Sequence, residues 1–169
     1  MNRNKLILLV ATSLVFSAFV ALILEKERLL ATGDTIYLKL APVDPRSLMQ
    51  GDYMILDYEL AQEAGDALGE NSSRRVVPVV AKVDQSLVAN FVRLAQEDDQ
   101  LAPDEILLFL KRNGNFDLNI GAESFFFQEG HGEVFEEARY GELRFDGKGG
   151  TLLVGLRDES LKTLGPERW

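Results

Sequence analysis

An uninterrupted apolar run near the N-terminus constrains this chain more than any other stretch. Leu6 to Leu24, LILLVATSLVFSAFVALIL, holds 19 residues and no charge. As a helix rising about 1.5 Å per residue it is roughly 28 Å long, close to the hydrocarbon thickness of a bilayer. Cleavable secretory signals have a shorter apolar core, roughly 7–15 residues, and a small-x-small cleavage site. Cleavage after Ala21 would place Phe19 at position −3, and cleavage after Ala18 would place Phe16 there. Neither ring suits that position, so the run reads as an uncleaved signal anchor. Arg3 and Lys5 precede it with no acid nearby, whereas Glu25, Lys26, Glu27 and Arg28 follow it and cancel. The excess of basic residues before the span predicts a cytoplasmic N-terminus and an extracytoplasmic remainder. The expected organisation is a cytoplasmic N-terminus over 1–5, a transmembrane span over 6–24, a juxtamembrane tether over 25–34 and one domain over 35–169.

All 27 acidic residues lie after the span, against 16 basic ones (18 less Arg3 and Lys5). The exported part therefore carries a formal charge of −11. Such a surface repels nucleic acid and anionic headgroups, and it keeps a domain well solvated. The chain has no cysteine, which excludes disulfides, thiolate nucleophiles and zinc-thiolate sites. Its single histidine, His131, excludes zinc sites built on several imidazoles.

Beyond the tether the pattern is mainly β. The helix is expected to continue to Leu30 and to break at Thr32-Gly33-Asp34. Residues 35–40 alternate, with Ile36, Leu38 and Leu40 on one face. Pro42 and Pro45 mark a loop that Gly51-Asp52 closes. The next strand puts Met54, Leu56, Tyr58 and Leu60 on one face and Tyr53, Ile55, Asp57 and Glu59 on the other. Residues 61–75, small, polar and glycine-bearing, read as a mobile loop with at most one helical turn. Arg74 to Asp84 is a strand whose Pro78 points to a sheet edge or a bulge. Val88 to Gln96 pairs with it across Asp84-Gln85-Ser86. Ile106–Arg112 and Asn115–Ile120 flank Asn113-Gly114, which suits a two-residue hairpin turn. Phe125-Phe126-Phe127 reads as a short buried strand. Residues 133–140 read as a short helix with Val134, Phe135 and Ala138 on one face and Gly141 closing it. A last hairpin joins 142–146 to 151–157. The fold class is therefore one transmembrane helix plus a mainly β (α+β) domain of antiparallel strands and hairpins, with one or two short helices.

The stretch Gly51-Asp-Tyr-Met-Ile-Leu-Asp-Tyr58, with Pro42 to Gln50 before it, resembles the signature of the bacterial GDYXXLXY protein family. Gly51, Asp52, Tyr53, Leu56 and Tyr58 match it at every named position. Phe125-Phe-Phe-Gln-Glu-Gly-His-Gly132 resembles the family's aromatic strand and Glu-Gly-x-Gly loop, with Gln128 where a proline is expected. The resemblance covers most of residues 35–157. It implies a protein of the cytoplasmic (inner) membrane with a periplasmic domain, and a large multi-pass membrane protein as partner. The family has no established biochemical role, so the resemblance implies a place and an architecture, and no chemistry.

Each candidate site has a plain structural reading beside it. Gly51 permits a backbone angle closed to other residues, Asp52 can staple its own loop, and Leu56 and Tyr58 fill a core. The Tyr58 hydroxyl then needs one partner. Tyr53 lies on the other face, and it is available for binding if that face is solvent. Arg46 can pair Asp44 or Asp52 as a loop staple, or meet a partner's carboxylate. Glu129, Gly130, His131 and Gly132 offer a loop ahead of a helix, but the glutamates oppose an anion. Glu129 or Glu133 with His131 gives a weak metal set, and an exposed loop histidine is the preferred reading. No cofactor is expected. In the anchor, Ser17 and Ala21 are four residues apart, a spacing that permits close helix packing.

The leading expectation is a non-catalytic accessory or interaction module, contacting its partner through the 42–53 and 129–133 loops. One alternative is a membrane-anchored serine hydrolase in which Lys82 activates Ser47. The other is a small-ligand-binding β domain.

Overall fold

The structure, a computed structural model, describes residues 3–41, 49–50, 53–69, 74–113, 117–128, 130 and 132–165. The apolar run lies within a single helix, α1 (Arg3–Thr32). Its segment Ile7–Thr32 is long and apolar enough to cross a membrane, and none of its most apolar stretch is buried against the protein. The helix ends where the Gly33 N–H donates to the Leu29 carbonyl at 2.8 Å.

The domain begins at once with β1 (Asp34–Lys39), in which Ile36 and Leu38 are buried as the alternation predicts. The elements that follow are β2 (Met49–Gln50), β3 (Tyr53–Ile55), α2 (Glu59–Leu68), β4 (Val76–Val83) and β5 (Ala89–Leu94). Then come β6 (Glu105–Asn113), β7 (Asp117–Asn119), β8 (Ser124–Phe126), α3 (Gly132–Phe135), β9 (Tyr140–Phe145) and β10 (Thr151–Arg157). They form three sheets of order β1-β9-β10, β2-β3-β8 and β5-β4-β6-β7. Every ladder within them is antiparallel.

The sheets wrap one core. The β1 edge meets the start of β5, where the Tyr37 N–H donates to the Leu87 carbonyl at 2.8 Å. On the other side, the Thr151 hydroxyl reaches the Ile120 carbonyl at 3.3 Å. Residues of all three sheets and of α2 pack together, including Leu38, Met54, Leu56, Val79, Leu108, Phe125 and Leu143.

Several local expectations give way. Residues 59–68 form a ten-residue helix, where a mobile loop over 61–75 is expected. Leu60, Ala61 and Ala64 are buried at helical spacing, and Ala, Gln and Glu are good helix formers. That stripe outweighs Gly65, which sits mid-helix, and a Cβ built there meets nothing within 4 Å. Gly65→Ala is therefore expected to raise stability by about 1 kcal/mol, read as a shift in the denaturant midpoint.

β4 lies inside its sheet rather than at an edge. Pro78 is tolerated because its carbonyl, and with it the missing N–H, faces the β5 side just beyond the end of that ladder. There it accepts from the Ala95 N–H at 2.9 Å. The expected bulge falls nearby, between Val80 and Ala81. In the β6–β7 hairpin Asn113 pairs with Asp117, which leaves a three-residue connection instead of a two-residue Asn-Gly turn. Residues 114–116 are outside the described set.

The expected strand through Leu60 ends at Ile55, yet Met54, Leu56, Tyr58 and Leu60 are all buried. The chain keeps its inward face although the ladder stops. The triple phenylalanine alternates rather than lying wholly inside. Phe125 and Phe127 are buried, and Phe126 is 64% exposed. The helix predicted over 133–140 is only α3, with Phe135 and Ala138 inward and Val134 exposed. Gly141 closes no helix. It lies buried in β9, where a Cβ would stand 3.0 Å from a ring carbon of Tyr58.

Three turns share one device. Asp84, Asp146 and Asp158 each accept, on one carboxylate oxygen, the N–H groups two and four residues ahead. The residue between them has a positive φ: Leu87 at 64°, Gly149 at 93° and Leu161 at 62°. At Asp158 the Ser160 hydroxyl also donates, and these bonds hold that carboxyl below its usual pKa.

Candidate functional site

The signature residues divide between two faces because a strand alternates sides. Gly51 and Asp52 lie outside the described residues, as do Arg46, Ser47, Glu129 and His131. Leu56 is 2% exposed and Tyr58 is 1% exposed. The Tyr58 hydroxyl donates to the Ala122 carbonyl at 2.8 Å, which supplies the partner it needs. Burial pushes its pKa well above the usual tyrosine range, so it stays a neutral donor. Asp57, the next residue back, braces the entry into α2, whose N-cap Tyr58 has no side-chain cap of its own. Its carboxylate accepts from the Tyr58 N–H at 2.9 Å and from the Gln62 amide at 2.7 Å.

Tyr53 faces the other way. It pairs across β3–β8 with Phe126, and their ring centroids are 5.7 Å apart at a tilt of 38°. Ile55, two residues along on the same face, is 47% exposed. The small sheet thus presents Tyr53, Ile55 and Phe126 on one outward face. Phe125 and Phe127 turn inward and pack on Phe135, at centroid distances of 5.1 and 5.3 Å. The inward pair fixes the strand, and the strand fixes the outward ring.

The glycine loop shows no anion cradle among the described residues. Gly130 is exposed with φ 81°, Gly132 is buried as the first residue of α3, and α3 is one turn long. No group of three or more metal-ligating side chains occurs among the described residues. Lys82 is exposed and ion-paired with Asp104 at 2.9 Å. The hydrogen bond to Asp104, ahead of its coulombic attraction, raises the lysine pKa. A lysine acting as general base needs the reverse, an amine driven neutral by burial.

Sequence reasoning missed two polar features. On the outer face of the β1-β9-β10 sheet, Glu142 is 8% exposed and accepts from Arg157 Nε at 2.8 Å and Nη2 at 2.5 Å. The guanidinium lies 5.9 Å from the Tyr37 ring centroid, and it also bonds the Thr163 hydroxyl. Tyr37 and Glu142 are direct register partners, a pairing no single-sequence pattern announces. On the four-stranded sheet, Arg93 of β5 bonds Glu105 of β6 at 2.7 Å. Its stem must cross β4, where Val80 is fully buried. Arg93, with the Ala102 N–H, holds the Glu105 carboxyl below its usual pKa.

A search of curated proteins and one of solved structures returned no match. The family model described as GDYXXLXY protein matches residues 15–156, which takes in the second half of the anchor, both faces of the signature strand, the phenylalanine strand and all of β10 but its last residue. The chain belongs to the GDYXXLXY protein family.

Proposed function

We propose that this protein is a single-pass membrane protein whose domain, outside the cytoplasm, is a non-catalytic accessory module for a multi-pass membrane protein. The observation that carries the reading is the outward face of β3 and β8. There the half-buried Tyr53 stands beside Ile55 and Phe126, which are 47% and 64% exposed, and Phe126 is the most exposed large apolar side chain described in the domain. A cluster of exposed aromatic and aliphatic side chains costs solubility unless something covers it, and aromatic residues are enriched at the centres of protein interfaces. Arg3 and Lys5 ahead of the span support a cytoplasmic N-terminus. The exposed, ion-paired state of Lys82 weighs against the hydrolase alternative.

The test is co-purification of the full chain, tagged at its C-terminus, from native membranes in mild detergent. The native chain is expected to retain a stoichiometric multi-pass protein. Phe126→Ser is expected to weaken that association by about 2 kcal/mol, roughly thirtyfold in Kd, as for an interface anchor residue. The ring is exposed but pairs with Tyr53 across β3–β8, so the same change should cost domain stability about 1 kcal/mol, less than the effect on association. A partner retained equally by Phe126→Ser would remove this face from the reading. A native chain recovered alone across several detergents would remove the reading itself.

A further inference from the structure

The joint between α1 and the domain has no slack. The helix continues for eight residues past Leu24, roughly 12 Å at 1.5 Å per residue, before it stops at Thr32. On that stalk Leu29 is buried, at 8% exposure, where α1 meets β9 and β10. Gly33 is the single residue between helix and strand, since Asp34 already pairs with Phe145. A Cβ on Gly33 would stand 2.5 Å from the Leu29 carbonyl oxygen, 2.8 Å from Leu29 Cδ1 and 3.1 Å from Arg144 Cβ. The chain passes from α1 to β1 through a gap that only glycine fits. Beyond it, the Arg144 guanidinium bonds the Thr35 hydroxyl and ties the second residue of β1 to β9.

We infer that α1 and the domain form one rigid body, so that a tilt or rotation of the helix in the bilayer carries the β3–β8 face with it. A hinge at this point would have to break the Gly33–Leu29 bond, expose Leu29, or pull Asp34 off Phe145. A flexible linker does none of this, because its residues have no native contacts to lose. The inference rests on α1 spanning the bilayer, and it turns the tether expected over 25–34 into a stalk that sets the domain's orientation.

The chain has no native cysteine, so paired spin labels can be placed cleanly. Glu27→Cys on the stalk and Glu136→Cys on the domain, both exposed positions, report the joint. Glu63→Cys with Glu136→Cys, within the domain, reports the fold. The full chain is measured by pulsed dipolar spectroscopy in nanodiscs of phosphatidylethanolamine and phosphatidylglycerol. The native joint is expected to give one narrow distance distribution. Gly-Ser-Gly-Ser inserted between Thr32 and Gly33 is expected to broaden it and leave the intradomain pair unchanged. Gly33→Ala is expected to shift or broaden the joint distance, again without moving the intradomain pair. A native distribution as broad as that of the inserted linker would overturn the inference, as would a Gly33→Ala chain indistinguishable from native. Alkaline extraction of membranes tests the span separately. A chain released by it would overturn the membrane reading, while the same distances in detergent would still judge the joint.

Discussion

Replacing Tyr58 with alanine is expected to destabilise the domain by about 3–5 kcal/mol, the range for deleting a large buried aromatic ring. The ring is 1% exposed and lies against Gly141, while its hydroxyl holds the Ala122 carbonyl at 2.8 Å. Its backbone bridges Leu40 just past β1, so one residue ties the signature strand to β9 and to the segment that enters β8. Two further substitutions separate the contributions. Tyr58→Phe keeps the ring and leaves a buried carbonyl without its donor, at a cost of about 1–3 kcal/mol. Gly141→Ala keeps the tyrosine and presses a methyl to about 3 Å from its ring, an overpacking cost of about 1–3 kcal/mol. Urea unfolding of the full chain in detergent, followed by circular dichroism, gives all three. A Tyr58→Ala chain within 1 kcal/mol of native, by the scale of exposed substitutions, would show that the signature tyrosine is no core residue.

The second large effect is expected at Arg157. Arg157→Ala leaves Glu142 buried in β9 without its counter-ion, and breaking a buried pair in this way costs about 3–5 kcal/mol. The lower end is expected, about 3 kcal/mol, because a fifth of the arginine side chain remains exposed and water screens part of the attraction. The loss reflects the stranded carboxylate more than the worth of the bridge. Replacing both partners with leucine should therefore recover most of the stability, and a double-mutant cycle measures the difference. A double-leucine chain as unstable as Arg157→Ala would point instead to the contacts of Arg157 with Tyr37 and Thr163.

The family signature divides its residues between two faces. Leu56 and Tyr58 are spent on the core, and Tyr53 is turned outward by the pleat of the same strand. The accessory reading therefore depends on Tyr53, Ile55 and Phe126, and a loss of stability at Tyr58 says nothing about it. A variant at Phe126 that keeps the fold but loses the partner would separate the two roles cleanly.

The sequence by itself determined the elements whose cause is local. Nineteen consecutive uncharged residues, sixteen of them apolar, make a helix of membrane length. Alternation over 34–39 chose which side chains of β1 face inward, because the side-chain period of a strand is two. The sequence also placed a last hairpin between 142–146 and 151–157, and strand alternation put Leu56 and Tyr58 on one side and Tyr53 on the other. Only the tertiary structure decided the rest, because its causes are contacts between distant residues. Helix α2 exists since a stripe of Leu60, Ala61 and Ala64 finds a sheet to cover, which outweighs its glycine. Pro78 sits inside a sheet because its missing N–H falls just past the last β4–β5 register pair, where its carbonyl still accepts from the Ala95 N–H at 2.9 Å. Phe126 is exposed because its neighbours on either side both found Phe135. Gly141 is a packing surface for a tyrosine 83 residues earlier, and the Glu142–Arg157 pair meets only because β9 and β10 lie side by side.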